Sequence, residues 1–386
     1  MLLVAPLMAF LSITFIVPIA DMLTRSVYAP VFAEVFAQTA EAMNVWDGLG
    51  LPDESAFAAL VSDMKLARAD RTIGQAATRM NYEMPGTRSL FMRSARRVAR
   101  IDGPPFKQAL IGIDERWGDR ALWAAIERVA APITPTFYLA ALDRRLDADG
   151  NVVLEDENRR LYVQLFWRTL WMSALVTALC LMLGFPIAYL MAHMPMKRAN
   201  LLMILVLLPF WTSLLVRTTA WIAMLQTEGV LNDILVWSGA VPADGRIQLI
   251  YNQIGTIIAM THILLPFTVL PLYSVMRGIP PSLTRAAVSL GATPAMAFRK
   301  VYLPLTVPGI GAGAVLVFIL SVGYYITPAL VGGRTGQLIS NLIAFHMQES
   351  LNWGLAAALG AILLAGVLAL YWLYDRLVGV DKMRLG

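Results

Sequence analysis

The feature that most constrains this chain is a series of apolar stretches, each close to the length that crosses a lipid bilayer. They lie at residues 2–20, 165–191, 201–225, 250–275, 305–330 and 355–373. An α-helix rises ~1.5 Å per residue, so about 20 residues cross a hydrocarbon core of roughly 30 Å. Lipid offers no hydrogen bonds to the backbone, and a helix satisfies its backbone hydrogen bonds within the segment itself. The sequence therefore predicts an all-α polytopic membrane protein with six transmembrane helices.

Composition supports this prediction and limits the possible partners. Of 386 residues, 58% are hydrophobic and 15% charged, and the mean hydropathy is +0.62. The formal net charge of +5 could attract nucleic acid. The basic residues, however, cluster in short loops between apolar stretches, as they do on the cytoplasmic side of membrane proteins. We therefore expect contact with membrane lipid and none with nucleic acid.

The distribution of lysine and arginine predicts the orientation of the chain. Basic residues occupy alternate loops and the C-terminal end, at Lys197, Arg198, Arg277, Arg285, Arg299, Lys300, Arg376, Lys382 and Arg384. The other two loops, 226–249 and 331–353, carry only Arg246 and Arg334. The bias places the basic loops and both termini in the cytoplasm.

Between the first two apolar stretches the composition changes sharply. Residues 21–160 hold most of the charges, with acids and bases nearly balanced, and several alanine-rich runs have helical spacing. This predicts a mostly helical external domain inserted after a first transmembrane helix at 1–20, which we expect to be uncleaved. The remaining domains are a five-helix core at 165–375 and a cytoplasmic tail at 376–386. The inserted domain either contacts a substrate-delivering partner or serves as a cap.

No sequence pattern predicts catalysis or metal binding. A single cysteine, Cys180, permits neither a disulfide framework nor a thiolate metal site. His193, His262 and His346 are far apart and have no ligand spacing. No phosphate-binding loop ending in Gly-Lys-Ser/Thr is present, so no ATP site is expected in this chain. The glycine-rich run 331–336 follows no strand and is predicted to be a flexible external loop.

A polar, basic segment at 284–308 lies between two apolar stretches. Ala286 and Ala287 have little side-chain bulk, so another surface can approach their backbone closely. Gly291 can adopt a positive φ and turn the chain between two short helices. The segment is therefore predicted to be a compact helix–turn–helix that a soluble partner can contact.

The spacing of this segment resembles the coupling loop of bacterial ABC-importer permeases. That pattern is Glu-Ala-Ala, three residues, Gly, nine residues, an aliphatic residue, any residue and Leu-Pro. The corresponding residues here are Arg285, Ala286, Ala287, Gly291, Val301, Leu303 and Pro304, with Ala292 after the glycine. Arg285 replaces the usual glutamate, which removes a carboxylate but keeps the docking shape. The resemblance places an ATPase-coupling loop at 280–304.

Three further stretches are similar to the polyamine-type branch of these permeases. They are 208–221, 323–333 and 351–358. The resemblance implies a type I importer in the bacterial inner membrane, in which an external solute-binding protein delivers spermidine, putrescine or a related solute. It also implies a second permease subunit and two cytoplasmic ATPase subunits. ATP is then bound by a separate subunit, and this chain needs no cofactor.

Candidates for the translocation path are polar or aromatic residues near the apolar stretches. An intramembrane charge such as Arg217 is costly, by about 2.5–3.5 kcal/mol on insertion scales, and suggests function. Because an arginine repels a polycation, pairing with an acid or with carbonyl groups is the favoured interpretation, and solute contact the other. A cationic solute would be attracted to aromatic faces and acids. The candidates are Trp211, Tyr324, Tyr325 and Glu228, with Trp353 and Glu349 as further possibilities.

Other functional classes remain open at this point. A secondary transporter or channel would need no ATPase, but usually shows paired intramembrane charges or inverted repeats. A membrane-anchored sensor would use the external domain to bind its ligand. A membrane enzyme is disfavoured because no catalytic constellation is present.

Overall fold

The computed structural model describes residues 4–378, and the predicted tail beyond Val378, with Lys382 and Arg384, lies outside this range. The chain divides into two compact units. The first unit comprises the residues up to Val163 together with Phe345–Ile362, and the second comprises Gln164–Ala344 with the residues from Leu363 on.

The first unit contains the predicted inserted domain. Its helices are α1 (Ala5–Leu11), a π turn (Ser12–Ile16), α2 (Val17–Arg25), α3 (Val31–Val35), α4 (Ala37–Met43), α5 (Glu54–Ala69), α6 (Ile73–Glu83), α7 (Thr87–Arg97), α8 (Phe106–Ile113), α9 (Arg120–Ala130) and α10 (Thr136–Ala141). Short 3₁₀ turns lie after α7 at Val98–Arg100, after α8 at Glu115–Gly118 and before α11 at Glu157–Arg159. Strands β1 (Arg144–Leu146) and β2 (Val152–Leu154) form an antiparallel hairpin, with Arg145 opposite Val153.

The second unit is built from long apolar helices. In chain order the helices are α11 (Tyr162–His193), α12 (Met196–Trp211), α13 (Leu214–Leu225), α14 (Val230–Trp237), α15 (Gln253–Gly278), α16 (Pro281–Ser289), α17 (Pro294–Ala297), a π turn (Phe298–Tyr302), α18 (Leu303–Val322), α19 (Ile326–Val331), α20 (Gly333–Gly336), α21 (Ile339–Gln348) and α22 (Trp353–Val378). Helices α11, α21 and α22 continue across the boundary between the two units.

Within residues 4–378, five continuous helical segments are long and apolar enough to cross a membrane. They are Ala5–Arg25, Tyr162–His193, Gln253–Gly278, Pro294–Val322 and Trp353–Arg376. A sixth span exists if the pair Met196–Trp211 and Leu214–Trp237 counts as one, although it bends by 98°. The prediction of an all-α polytopic membrane protein is confirmed.

The bend in the sixth span has a local cause. Ser213 has extended backbone angles, and its side-chain oxygen accepts the N–H of Val216 at 3.2 Å, which starts α13 as a new helix. Thr212 Oγ1 donates to the carbonyl of Pro209 at 3.0 Å. These side chains supply hydrogen bonds that the interrupted helix lacks, so the break is compatible with an apolar environment.

Each of the two π turns ends directly before a dipeptide whose second residue is proline, Val17-Pro18 in one case and Leu303-Pro304 in the other. Val17 donates to the carbonyl of Ser12, and Leu303 donates to the carbonyl of Phe298, each five residues back. Pro18 and Pro304 follow, and a proline ring clashes with the carbonyl four residues before it. The wider turn precedes each proline and lets the helix continue.

The inserted domain is organised around a buried aromatic core. Phe32, Phe36 and Phe91 form stacked and edge-to-face pairs with centroids 5.0–6.3 Å apart. Trp117 and Trp123 are fully buried, and their indole N–H groups donate at 2.9 Å to Ser94 Oγ and to the carbonyl of Trp117. A core of this size, in the part of the chain predicted to be polar, gives the domain its own hydrophobic centre.

A carboxylate joins the hairpin of this domain to the start of α11. Asp143 accepts the backbone N–H groups of Leu161, Tyr162 and Val163 at 2.9–3.0 Å. These are donors of the kind left unpaired at the beginning of a helix. The domain therefore supplies the cap for the following span.

The pKa values of two further carboxylates in the domain are shifted in opposite directions by their surroundings. Asp63 accepts the N–H and Oγ1 of Thr39 at 2.7 and 2.8 Å, yet burial dominates and raises its pKa. The hydrogen-bonded guanidinium of Arg116 holds the pKa of Asp114 below its usual value.

A three-charge cluster is buried between α6 and α9. Arg128 Nε lies 2.7 Å from Glu83 Oε1, and Arg79 Nη1 lies 3.7 Å from Glu83 Oε2. The Arg79 guanidinium is 5.1 Å from the ring centroid of Phe137, and burial lowers its pKa while Glu83 opposes that shift. Only 6% of the Arg79 side chain and 3% of the Glu83 side chain are exposed. Glu83 is thus the carboxylate that compensates two guanidinium groups.

Close packing in the second unit depends on glycines of α18 facing α15. A Cβ at Gly313 would lie 3.3 Å from the Cα of Thr268, and one at Gly309 would lie 3.2 Å from the Cα of Leu272. Gly184 of α11 faces the same threonine, with its Cβ position 3.1 Å from Thr268 Cγ2. Small residues four apart let membrane helices approach through their backbones.

The run 331–336 corrects a prediction. It is not a flexible loop, because Gly333–Gly336 form a helical turn packed on the start of α15. A Cβ at Gly332 or Gly336 would lie 2.5 Å from Thr256 Oγ1. Gly333 has φ +52°, and its Cβ position is 2.4 Å from the carbonyl oxygen of Tyr251. Glycine is required at these positions because Thr256 and Tyr251 approach the backbone closely, and the linear sequence does not show this approach.

Glu83→Ala should lower the stability of the purified chain strongly, by about 3–5 kcal/mol, because it leaves the buried Arg79 and the partly buried Arg128 without their carboxylate. Thermal unfolding in detergent, followed by tryptophan fluorescence, measures the effect. Glu115→Ala, at an exposed position, is the matched control. Equal unfolding temperatures for the two variants would contradict the role given to Glu83.

Gly313→Val should separate α15 from α18 and reduce the yield of folded protein, because its side chain would overlap the backbone of Thr268. Gly366→Val, inside α22 with no atom within 4 Å of the Cβ position, should be tolerated. Size-exclusion profiles of both variants in detergent test this, and indistinguishable profiles would show that the glycine contact is dispensable.

Candidate functional site

The segment 280–304 folds as the helix–turn–helix that its sequence predicts. Helix α16 ends in a turn in which Gly291 N–H donates to the carbonyl of Val288 at 2.9 Å, and Ala292 N–H donates to that of Ala287 at 3.1 Å. Gly291 has φ +92°. This pair of bonds is the Schellman motif, which needs a left-handed residue at the position of the glycine. The expected positive φ is confirmed.

The alanines have a structural role in the same motif. Ala287 supplies the carbonyl that accepts from Ala292, and it is half-buried, whereas Ala286 is exposed. Thr293 then starts α17, since its side chain accepts the N–H of Met296 at 3.3 Å. Two short helices therefore meet at a fixed, compact turn, with a small-residue surface open on α16.

Positive charge covers this segment. Arg285, Arg299 and Lys300 are all exposed, and no acidic residue occurs anywhere in 280–304. Arg277, just before the segment, donates from Nη1 to the carbonyl of Ala192 at the end of α11, at 2.8 Å. The segment is thus a cationic surface attached to α11 through α15.

A cluster of aromatic side chains lies beside the turn and was not predicted. The ring centroid of Tyr302 is 5.3 Å from that of Tyr189, 5.5 Å from that of His193 and 5.7 Å from that of Phe298. Together with Thr284, Arg285 and Val288, these rings line a cleft of about 500 Å³. The four-residue spacing of Tyr189 with His193, and of Phe298 with Tyr302, is the signal from which the cluster could have been found.

Leu303 and Pro304 begin α18 directly after the π turn that carries two of these rings. The aromatic cluster connects the helix–turn–helix to the two long helices α11 and α18. Helix α16 is therefore joined to these long helices by packed rings and not by a loop alone.

The proposed path residues lie on different elements. Trp211 ends α12 at the 98° break and is 70% exposed. Arg217 reaches back across this break, and its Nη2 donates to the carbonyl of Thr212 at 3.1 Å. Its observed partner is therefore a carbonyl group, as the favoured interpretation supposed.

Tyr324 and Tyr325 lie between α18 and α19. Their carbonyls accept hydrogen bonds at 2.7 Å from Ser340 Oγ and Asn341 Nδ2, which fix the irregular backbone there. Helix α19 packs on α13, where Thr218 and Thr327 hydroxyls are 3.5 Å apart. Arg217 and the two tyrosines thus belong to neighbouring elements that meet at these threonines.

Glu228 is placed differently. It is exposed in the loop after α13, with an oxygen 3.4 Å from Arg246, which also binds Asp233 at 2.9 Å. Within residues 4–378, the carboxylate of Glu228 pairs with this arginine and with no side chain of α13 or α19.

Two of the histidines take part in helix contacts. Trp221 Nε1 donates to His262 Nδ1 at 3.2 Å, which joins α13 to α15. His346 lies 3.0 Å from the hydroxyl of Tyr162 and 2.8 Å from that of Ser350. Among residues 4–378, no group of three or more potential ligand side chains could hold a metal ion.

A bundle of long apolar helices is the architecture of an integral membrane protein. The chain belongs to the family described as binding-protein-dependent transport system inner membrane component, which matches residues 184–379. It is therefore a multi-pass inner-membrane permease component and not an enzyme. The inserted domain precedes the matched residues.

Two similar proteins are named as permeases. The chain is 37% identical over 221 residues to the spermidine/putrescine transport system permease protein PotB of Haemophilus influenzae, covering 56% of this chain and 77% of that one. It is 35% identical over 222 residues to the inner membrane ABC transporter permease protein YdcU of Escherichia coli, covering 55% and 70%. A bacterial ABC transporter involved in the import of alginate is 20% identical, with a TM-score of 0.46, over 58% of this chain and 80% of that one.

Proposed function

We propose that this chain is one permease subunit of an ATP-driven importer, moved by a separate ATPase that docks on the segment 280–304. The observation that carries the proposal is the rigid turn at Gly291, joined through an aromatic cluster to α11 and α18. Closure of an ATPase pair would displace α16, and the packed rings would transmit that displacement to the bundle.

The proposed assembly follows from this role. Two cytoplasmic ATPase subunits bind the nucleotide, and a second permease subunit completes the path. In this proposal 280–304 and both termini are cytoplasmic and the inserted domain is external, which the bias of basic residues supports. A solute-binding protein then delivers the solute on the side of the inserted domain.

The proposed solute is a polyamine or a similar small organic cation, because a permease named for spermidine and putrescine transport is 37% identical to the chain. The break at Trp211 and the unwound backbone at Tyr324 and Tyr325 are the proposed gate region, since irregular backbone within a membrane is tolerated where it lines a cavity. Arg217 stabilises the break through the carbonyl of Thr212, and Glu228 with Arg246 lies at the external mouth.

Gly291→Trp should lower the rate of spermidine uptake at least tenfold, because a bulky side chain at a positive φ distorts the turn that contacts the ATPase. Gly239→Trp is a closely matched control, since Gly239 also has a positive φ, +73°, and open space around its Cβ position. Spermidine uptake into proteoliposomes and co-purification of the ATPase are measured for both variants. Full transport by Gly291→Trp would refute docking at this turn.

The solute is tested separately. In the reconstituted transporter, labelled spermidine or putrescine should enter only with ATP and the binding protein present. Uptake that proceeds without ATP would favour the secondary transporter or channel. ATP-driven uptake of an unrelated solute, with no competition by polyamines, would keep the importer but reject the polyamine.

A further inference from the structure

Charge in the inserted domain is strongly segregated along the sequence. Residues 65–100 contain nine basic residues, Lys65, Arg68, Arg71, Arg79, Arg88, Arg93, Arg96, Arg97 and Arg100, but only two acids, Asp70 and Glu83. Since Glu83 is buried against Arg79 and Arg128, it does not offset the surface charge. The surface built from this segment is therefore basic, although the domain as a whole is nearly balanced.

Helix α7 and the turn after it collect these charges on one side. At about 100° per residue, Arg93, Arg96 and Arg100 share a stripe, and Arg97 lies beside it. All four are exposed, while the opposite side of α7, with Phe91 and Ala95, is buried in the core. We call these four arginines the basic face.

The basic face is not needed to cap its own helix. The carbonyls at the end of α7 accept from another helix, with Arg68 Nη1 3.0 Å from the carbonyl oxygen of Arg96, and Lys65 Nζ 2.7 Å from that of Ile101. In the part of the chain that the structure describes, the side chains of Arg96 and Arg100 have no hydrogen bond or ion pair. Their charge is available to a partner.

The other two arginines of the basic face are only loosely engaged. Arg93 Nη1 is 3.4 Å from Asp114, whose carboxylate is bound more closely by Arg116 at 2.9 Å. Arg97 Nη1 donates to the carbonyl of Ile113 at 3.3 Å. These contacts orient the side chains while leaving net positive charge on the surface.

A cleft adjoins the basic face between α5 and α7. It has a volume of about 460 Å³ and is lined by Lys65, Arg68, Ala69, Ala95 and Ala99. Its lining thus combines three alanines with two cations. Such a cleft suits one apolar side chain flanked by carboxylates, which is the arrangement of an anchor residue within a charged rim.

We propose that the basic face and this cleft bind an acidic surface of the solute-binding protein, with one apolar side chain of that protein seated on the alanines. The proposal rests on the proposed function, which supplies the binding protein and the external position of the domain. A cationic solute is repelled by this face, so a direct solute site is disfavoured. The inserted domain precedes the family match, and it would add docking strength to the common transport core.

Electrostatic docking of this kind is tested on the complete transporter in proteoliposomes of zwitterionic lipid. The double variant Arg96→Glu/Arg100→Glu should raise the binding-protein concentration for half-maximal ATPase stimulation by about tenfold, with the maximal rate unchanged. For the wild type this concentration should rise with salt, because screening weakens exposed charge pairs, and in the variant this dependence should flatten.

Two controls separate docking from folding. Arg144→Glu reverses an exposed charge on strand β1 and should leave the half-maximal concentration unchanged. Arg96→Lys/Arg100→Lys keeps the charge and should retain most of the affinity. An unchanged half-maximal concentration in the double reversal, or a fall in maximal rate alone, would overturn the proposal.

Anionic lipid is the competing occupant, and the same variants distinguish it. If wild-type activity requires vesicles with anionic lipid, and the double reversal removes that requirement without changing the half-maximal concentration, the face binds membrane and the proposal fails. If the wild type shows no stimulation by any binding protein, the proposed function fails instead, since docking on this face presupposes it.

Discussion

The structure depends on one constraint, the need to hydrogen-bond every backbone group that lies in an apolar environment. Each interruption of the bundle meets it with a specific device. Ser213 restarts the helix after the 98° break, and π turns precede Pro18 and Pro304. Asp143, the residue just before the hairpin, caps α11 with its carboxylate. The irregular positions are therefore as well defined as the helices, and they are where a transport protein can change conformation without exposing backbone to lipid.

Charge is handled differently in the two units. The inserted domain buries a carboxylate between two guanidinium groups and displays arginines on α7, as a domain in water can. The bundle has few charges, and Arg217 donates from Nη2 to a carbonyl of its own broken span while its Nε is buried without a partner among the described residues. In the bundle, helices are held together by close packing at glycines and not by ion pairs. The contact between α15 and α18 requires no charged group to be desolvated. The segment 280–304 and the basic face, to which we assign partners, are both on exposed surface of the chain.

Much of the fold and part of the candidate site could be predicted. Long apolar stretches identify spans because length and hydrophobicity are local properties, and the positive φ of Gly291 follows from the spacing of the segment. The spacing of Tyr189 with His193 and of Phe298 with Tyr302 marks the two halves of the aromatic cluster, but that these halves meet could not be predicted, since it needs the register of α11 against the π turn before α18. The glycine run at 331–336 was misjudged for the same reason, because its demand for small residues comes from Thr256 and Tyr251, about 80 residues earlier in the chain.

By itself, the sequence determined that this protein crosses a membrane, carries a polar helical insertion and presents a basic helix–turn–helix, since each depends on residue type within a short window. Only the tertiary structure decided that one span is broken at Ser213, that the turn at Gly291 is linked by packed rings to two long helices, and that Arg96 and Arg100 are left without partners among the described residues. Those features depend on distances between residues far apart in sequence, which are set by how the helices pack.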